Sequence, residues 1–356
     1  MNSFITKTSF RIEVYSCSVM RWIRSIIISS ASSLLVIILV ESVPQNNIAK
    51  MKNRVSVGLI IVIADLHTVP SGAYNFRANG ELAGRQTTAN IDIVSKPDGS
   101  GIDIYIKPGT KKESVHIPVV LSATGLKETV YNDFYIGEDA DVVIVAGCGI
   151  DNCGNQDSEH DGIHRFYLSR NSKVKYVEKH YGSGDGRGQR ILNPVTEVYM
   201  DENSSMEMEM EQIKGVDSTD RKTVAELKAG AKLVVKERLM THGSQVALSN
   251  YQVNLNGAGS SADVVSRSVA RDDSSQTFNA CITGNAPCSG HTECDSIIMD
   301  NGHILAIPSL EANNVDAMLV HEAAIGKIAG DQLIKLMTLG LTEQEAEEQI
   351  INGFLR

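Results

Sequence analysis

From Asn90 onward the chain is written in short alternating stretches, such as Ile91-Asp92-Ile93-Val94, Ile102-Asp103-Ile104-Tyr105-Ile106, Val142–Val145 and Val174-Lys175-Tyr176-Val177. A period of two places successive side chains on opposite faces, which predicts strands, and polar or glycine-containing turns separate them. One corner recurs. Ile136-Gly-Glu-Asp-Ala140-Asp-Val142 has the form apolar, three polar or small residues, Ala or Ser, any residue, apolar. The form returns at Leu168–Val174, Met200–Met206 and Leu227–Leu233, at spacings of 32, 32 and 27 residues, and more loosely at Met299–Leu305. One such unit cannot bury its own apolar face, but a stack of them can. The pattern predicts a mainly β chain built as a β-solenoid. A β-sandwich of similar hairpins is the alternative it leaves open.

The tail changes period. Leu333, Leu336 and Met337 share one face of a segment from Gly330 to Gly340, and Gly340 suits the position after a helix C-terminus. Thr342 with Glu345 predicts a capping box, after which Ala346, Ile350 and Phe354 recur every four residues. Two short helices are expected, as a cap on the solenoid and as a docking surface for a partner.

The first 50 residues carry five Lys or Arg and two acids, while the other 306 carry 28 bases and 41 acids. Within that basic segment lies an apolar run, Ile26 to Val40, behind Arg21 and Arg24. It is shorter than the roughly 20 residues a spanning helix needs and contains four serines. It reads as a signal or anchor, a buried helix, or an upstream start outside the working protein. The last is favoured, because Met51 is an alternative start after which the character of the chain changes. A second apolar run, Leu59 to Ala64, follows it. The net charge of −10 argues against a nucleic-acid-coating role, and 5% aromatic residues leave few stacking platforms.

Several catalytic motifs are absent. There is no phosphate-binding Gly-x-x-x-x-Gly-Lys-Ser/Thr loop and no Gly-x-Ser-x-Gly turn. His321-Glu322-Ala-Ala-Ile325 begins like a zinc-protease helix but has Ile325 in place of the second histidine. The alternating glycines at 182, 184, 186 and 188 lack the dinucleotide-binding spacing and read as a flexible loop. The six cysteines, at 17, 148, 153, 281, 288 and 294, form no Cys-x-x-Cys pair. Cys281, Cys288, His291, Glu293 and Cys294 crowd one stretch, which suits zinc or iron–sulfur ligation; buried cysteine acting as a small hydrophobe is the alternative. His160 and His291 read as surface histidines, and Cys153 as incidental. Asp151, Asp157, Glu159 and Asp161 could form a Ca²⁺ cluster of the kind polysaccharide-cleaving β-helices use.

At these residues the chain resembles a known family. His321-Glu-Ala-Ala-Ile-Gly-Lys-Ile328, Asp331-Gln332-Leu333, Gly340-Leu341-Thr342 and Ile350-Ile351-Asn-Gly-Phe354 are similar to the C-terminal signature of SufB/SufD, the core proteins of the SUF iron–sulfur assembly system. Glu293-Cys294-Asp295-Ser296 resembles its Cys-Asp-Ser segment, Gly147-Cys148 its Gly-Cys strand end, and Val265-Ser266-Arg267 its Val-Ser-Lys/Arg stretch. The similarity runs from about Ile63 to Arg356.

The resemblance implies a right-handed parallel β-helix over residues 91–320, after an unmatched leader (1–62) and a short segment (63–90). A helical region that docks an ATPase is expected over 321–356. It implies a non-enzymatic, cytoplasmic scaffold that accepts sulfur and iron, builds a transient iron–sulfur cluster and passes it to apoproteins. Cys148 would be the sulfur acceptor, and Cys294, with Glu322 and His321, would bind the cluster. Implied partners are a SufC-type ABC ATPase, held through Gln332, Leu333, Leu336 and Met337, a second SufB/SufD-type subunit as homodimer or heterodimer, and a cysteine desulfurase or sulfur-transfer protein. No nucleic acid or membrane is expected. Cys294 and Glu322 favour the SufB-like role over a SufD-like structural or iron-delivery subunit, and an abbreviated N-terminal region sets the chain apart from a typical SufB. A polysaccharide-cleaving β-helix enzyme and a membrane component of an ABC transporter are the competing functions.

Overall fold

A computed structural model describes residues 70–356 together with Ile63. The apolar run at 26–40, the start at Met51, Cys17 and most of the run at 59–64 lie outside the described residues. Among the described residues, twenty strands, numbered in chain order, form two ten-stranded sheets. The first sheet runs β2 (Glu81–Gln86), β1 (Ala73–Ala78), β5 (Lys111–Leu121), β7 (Asp141–Asp151), β9 (Lys173–Ser183), β12 (Ser205–Lys214), β14 (Lys232–Thr241), β16 (Ser261–Ala270), β18 (Cys288–Ile298), β20 (Ala317–Gly326). The second runs β3 (Ile91–Ser95), β4 (Gly101–Ile106), β6 (Lys127–Ile136), β8 (Ser158–Leu168), then β10 (Arg190–Leu192) and β11 (Val195–Met200) as one interrupted rung, then β13 (Ser218–Leu227), β15 (Val246–Leu255), β17 (Ser275–Gly284), β19 (His303–Ala312). From β5 on, the chain visits the two sheets in turn and neighbours within each pair in parallel, which makes a solenoid of about 8 turns. Among the described residues, antiparallel pairing is confined to β1 with β2 and β3 with β4.

The recurring corner is the passage from the second sheet to the first. Its third turn residue takes a left-handed conformation, at Asp139, Asn171, Asn203 and Gly230. Asp and Asn tolerate that region because their short side chains bond locally. The small residue that follows, Thr110, Ala140, Ser172, Ser204, Ala231 or Ser260 on successive turns, is at most 3% exposed. Corner stacks on corner through backbone bonds such as Asp139 N–H to Arg170 O (3.1 Å) and Asn171 N–H to Glu202 O (3.0 Å). The copy at 299–305 belongs instead to the opposite corner, where the left-handed residue comes one place earlier, at Gly243, Asp272 and Asp300. The irregular repeat spacing arises mainly at that opposite corner, whose connections range from three residues between β12 and β13 to six between β7 and β8.

This geometry divides the interior. Near the recurring corner it is apolar, with Val142, Ile144, Phe166, Leu168, Met206, Met208, Leu233, Val235, Val253 and Leu255 all buried. Towards the opposite corner the inward positions turn polar: His160, Glu178, His180, Gln212, Arg221, Glu237, Ser249, Ser266, Ser268 and Ser296 are each at most 6% exposed. Such groups survive burial only by bonding one another.

The expected boundary at 321 falls in the middle of β20, and the helices begin later, at α1 (Gly330–Thr338) and α2 (Glu343–Phe354). Gly340 follows α1 at φ +98°, and the Thr342–Glu345 capping box opens α2. Helix α2 packs Ile351 and the following Leu355 onto Val269, Met240 and Ile297, whereas α1 buries none of its residues.

The loop with alternating glycines is not the loose segment its sequence suggests. It stacks on the loop below it, Gly186 N–H donating to Asn152 O (3.1 Å) and Gly188 N–H to Gly154 O (3.0 Å). A Cβ at Gly182 would lie 1.9 Å from Gly215 O, and one at Gly188 2.1 Å from Gln156 O. The glycines permit backbone-to-backbone contact between turns.

Candidate functional site

Cys148 lies at an inward position of β7, opposite His180 on β9. Its thiol lies beside both His160 and His180, whose charges act on it. His160, from β8, is 2% exposed, so the expectation of a surface histidine is overturned: the inward parity of β8 turns it into the solenoid. Its Nδ1 lies 3.0 Å from Glu128 Oε1, and Arg77 Nη2 donates to Glu128 Oε2 at 3.2 Å. Gly162, between His160 and His164 on β8, leaves room for two rings, since a Cβ there would lie 3.5 Å from His160 Nε2 and 3.3 Å from His164 Nε2.

Burial pushes the Cys148 thiol up, but His160 and His180 outweigh it and bring the thiol down to about 7. Burial also opposes protonation of His160, yet Cys148 and Glu128 raise it to about 10. His180 reaches about 9 against the same opposition, through Glu178 and Cys148. His164 goes the other way, to about 4, through burial and the neighbouring cations. The result is a thiol poised to ionise near neutral pH between two imidazoliums.

A polar column leads away from this thiolate. His180 Nε2 lies 3.6 Å from Glu178 Oε1. Arg221 Nη1 donates to Glu178 Oε2 (2.5 Å), and its Nε sits 3.7 Å from Glu237 Oε1. Burial works against the Glu178 carboxylate, but Arg221 and His180 hold it well below the usual range. Glu237 accepts from Ser249 (2.6 Å), Tyr251 (2.9 Å) and Ser266 (2.8 Å). Arg221, Glu237, Gln212, Thr219 and Ser249 border a cavity about the size of one water.

The column ends at Cys294. One inward register row passes from Ala146 through Glu178, Met210, Glu237 and Ser266 to Cys294 and then Ala323. Cys294 is 1% exposed, with Ser296 Oγ 3.6 Å from its sulfur. Burial raises its pKa above that of an ordinary thiol, only partly offset by Ser296. Five strand spacings of about 4.8 Å put roughly 24 Å between the levels of the two cysteines.

His321 shares the inward face with Cys294, since it pairs with Thr292, and its Nδ1 and the Thr292 Oγ1 are buried without a partner. Glu322 pairs with Glu293 on the outer face. The structure therefore brings Cys294 and His321 to one side of the sheet and Glu322 to the other. Orphaned donors beside an interior thiol suit an iron ligand, although among the described residues no three His, Cys, Asp or Glu side chains converge as a metal site. Of the other cysteines, Cys288 is buried, Cys281 is half-buried and Cys153 is exposed. His291 is half-exposed and bonded to Asp263 (2.8 Å). The four acids near 151–161 do not assemble: Asp157 accepts from the Gln189 backbone and Glu159 pairs with Lys127. Among the described residues no helix is long and apolar enough to cross a membrane.

Sequence reasoning singled out both thiols but missed Glu128, His180, Glu178, Arg221 and Glu237. Their signal was a charged residue at an inward-facing parity, visible once strand register is known.

The family model for the SUF system FeS cluster assembly SufBD core domain matches residues 134–354. An iron–sulfur cluster assembly SufBD family protein of Methanocaldococcus jannaschii is 28% identical over 255 residues, covering 71% of this chain and 79% of its own. One from Methanothermobacter thermautotrophicus is 28% identical over 261 residues, covering 72% and 62%. The SufB protein of Bacillus subtilis is 34% identical over 99 residues, covering 27% and 21%. A parallel solenoid with two C-terminal helices and a family match over most of its length place the chain in the SufBD family of SUF-system iron–sulfur cluster assembly proteins.

Proposed function

We propose that the chain is a SufB-like, non-enzymatic scaffold. It takes sulfane sulfur at Cys148, carries it through the solenoid to Cys294, and assembles a transient cluster there for delivery to apoproteins. The observation that carries this reading is the polar column between the two interior thiols. An ordinary solenoid core has no reason to bury two glutamates, an arginine and three histidines in series; together they keep a route polar enough for an anionic sulfur species. Cys294 and His321 supply inward ligands at the last turns. Glu322 supplies a carboxylate on the outer face and needs a second subunit or a rearrangement to join them.

The end of the solenoid supports pairing with another SufB/SufD-type subunit. Among the described residues, strands β19 and β20 leave sheet edges unpaired and expose Leu305, Ile307, Met318 and Val320. Helix α1 presents Ile334 and Met337, with Leu339 just beyond it, as the surface for a SufC-type ATPase; Leu333 and Leu336 are half-buried beside them. The proteins that donate sulfur and receive the cluster act in the same compartment, which we take to be the cytoplasm.

Anaerobic reconstitution with ferrous iron and sulfide, read by absorbance and Mössbauer spectra, tests the scaffold role. The wild-type chain should hold a stoichiometric cluster and Cys294→Ser none. No cluster in either protein would instead assign the chain a SufD-like structural role.

A further inference from the structure

We propose that Glu128, His160 and Cys148 work as a nucleophile–base–orienter set for sulfur transfer, with His160 as the catalytic residue that moves the proton and Glu128 as its positioning residue. This deepens the reading of Cys148 as sulfur acceptor and rests on it.

Three strands of consecutive turns supply the set: Glu128 from β6, Cys148 from β7 and His160 from β8. The order of contacts is that of an activated thiol. Cys148 faces the His160 imidazole inside the solenoid, and the ring's Nδ1 meets the Glu128 carboxylate at 3.0 Å. Arg77 fixes the second carboxylate oxygen at 3.2 Å. Both carboxylate oxygens are thus engaged, which sets the ring's orientation and keeps its Nδ1 protonated. A cysteine that merely fills space needs none of this. The charged groups facing the thiol are His160 from β8 and His180 from β9, backed by Glu128, Glu178, Arg77 and Arg221.

The chemistry balances without an oxidant or reductant. The Cys148 thiolate attacks the outer sulfur of a donor persulfide. The donor's S–S bond breaks as a new S–S bond forms at Cys148, and the sulfane sulfur keeps its oxidation state. The expelled donor thiolate takes the proton from the His160 imidazolium. His160 then recovers a proton from the new Cys148 hydropersulfide, leaving a persulfide anion facing His180.

The thiolate absorbance at 240 nm, taken as the difference between each protein and its Cys148→Ser counterpart, gives the titration of this one thiol. The wild type should titrate near pH 7. His160→Gln should move the midpoint up by about 1–2 pH units, and Glu128→Gln should move it in the same direction by less. Single-turnover uptake of sulfur from glutathione persulfide should fall about 100-fold or more in His160→Gln, with a smaller loss in Glu128→Gln. If His160→Gln does not fold, Glu128→Gln decides the matter, since it keeps a hydrogen-bonding group and removes only the charge. Unchanged midpoints and uptake in the folded variants overturn the proposal. If the titrations shift as expected but even the wild-type Cys148 takes up no sulfur, the acceptor reading itself fails, and the set is left as an ion pair with no transfer role.

Discussion

Cys148 and Cys294 face the same polar half of the solenoid five strands apart, yet their surroundings drive them to opposite states. The first is stabilised as a thiolate by two imidazoles, and the second is held as a neutral thiol by burial. At pH 7 about half of Cys148 is ionised, whereas burial keeps Cys294 less ionised than an ordinary thiol. Part of that advantage is lost because a less basic thiolate is a poorer nucleophile. Alkylation by iodoacetamide at pH 7, followed by peptide mass spectrometry, should therefore modify Cys148 about fivefold or more faster than Cys294. Equal rates would show that the two environments do not differ in this way.

The charge pair between the thiols is a structural dependency. Removing Glu178 leaves Arg221 buried beside the single carboxylate Glu237. Breaking a buried pair from one side costs about 3–5 kcal/mol. Glu178→Gln should lower unfolding stability by that amount in denaturant titration. Glu178→Met combined with Arg221→Met should recover much of the loss, because the pair is then replaced by apolar volume.

The thiolate–imidazolium contact fixes a pH window. His180 is raised from 6.5 to about 9, so its stabilisation is complete below 6.5 and is lost as pH rises through about 9. Cys148 is lowered from 9.0 to about 7, so its share is complete above 9 and is lost as pH falls through about 7. The pair acts together between about 7 and 9. A double-mutant cycle of Cys148→Ser and His180→Gln should give a coupling of about 0.5–3 kcal/mol at pH 8, shrinking at pH 5 and at pH 10.5. A coupling flat across that range would rule the pair out.

The stacked glycine loop makes a simpler forecast. Gly182→Ala places a methyl group against the Gly215 carbonyl and should cost about 1–3 kcal/mol in thermal or denaturant unfolding. Gly353→Ala, where a Cβ meets nothing within 4 Å, is the matched control and should leave stability unchanged or slightly raised.

Much of the fold was legible in the chain because its determinants are local. The alternation at Ile102–Ile106 and the small residues Ala140, Ser172, Ser204 and Ala231 follow from one strand and one corner at a time. The Thr342–Glu345 cap is equally local. What stayed hidden depends on register between turns. His160 looks like a surface residue until β8 is known to turn it inward against Cys148, and Glu178 and Glu237 look like solvated charges until they align on the row that ends at Cys294. The glycines at 182–188 carry no sign of the loop they stack on, because that loop lies some 30 residues earlier.

The central claim is that sulfur received at Cys148 reaches Cys294 through the interior. The most direct measurement is to load the protein anaerobically with isotope-labelled persulfide, without iron, and locate the label by peptide mass spectrometry. The account predicts label on both cysteines in the wild type, on Cys148 alone in Cys294→Ser, and on neither in Cys148→Ser. Label at Cys294 in the Cys148→Ser protein, at the wild-type level, would contradict it.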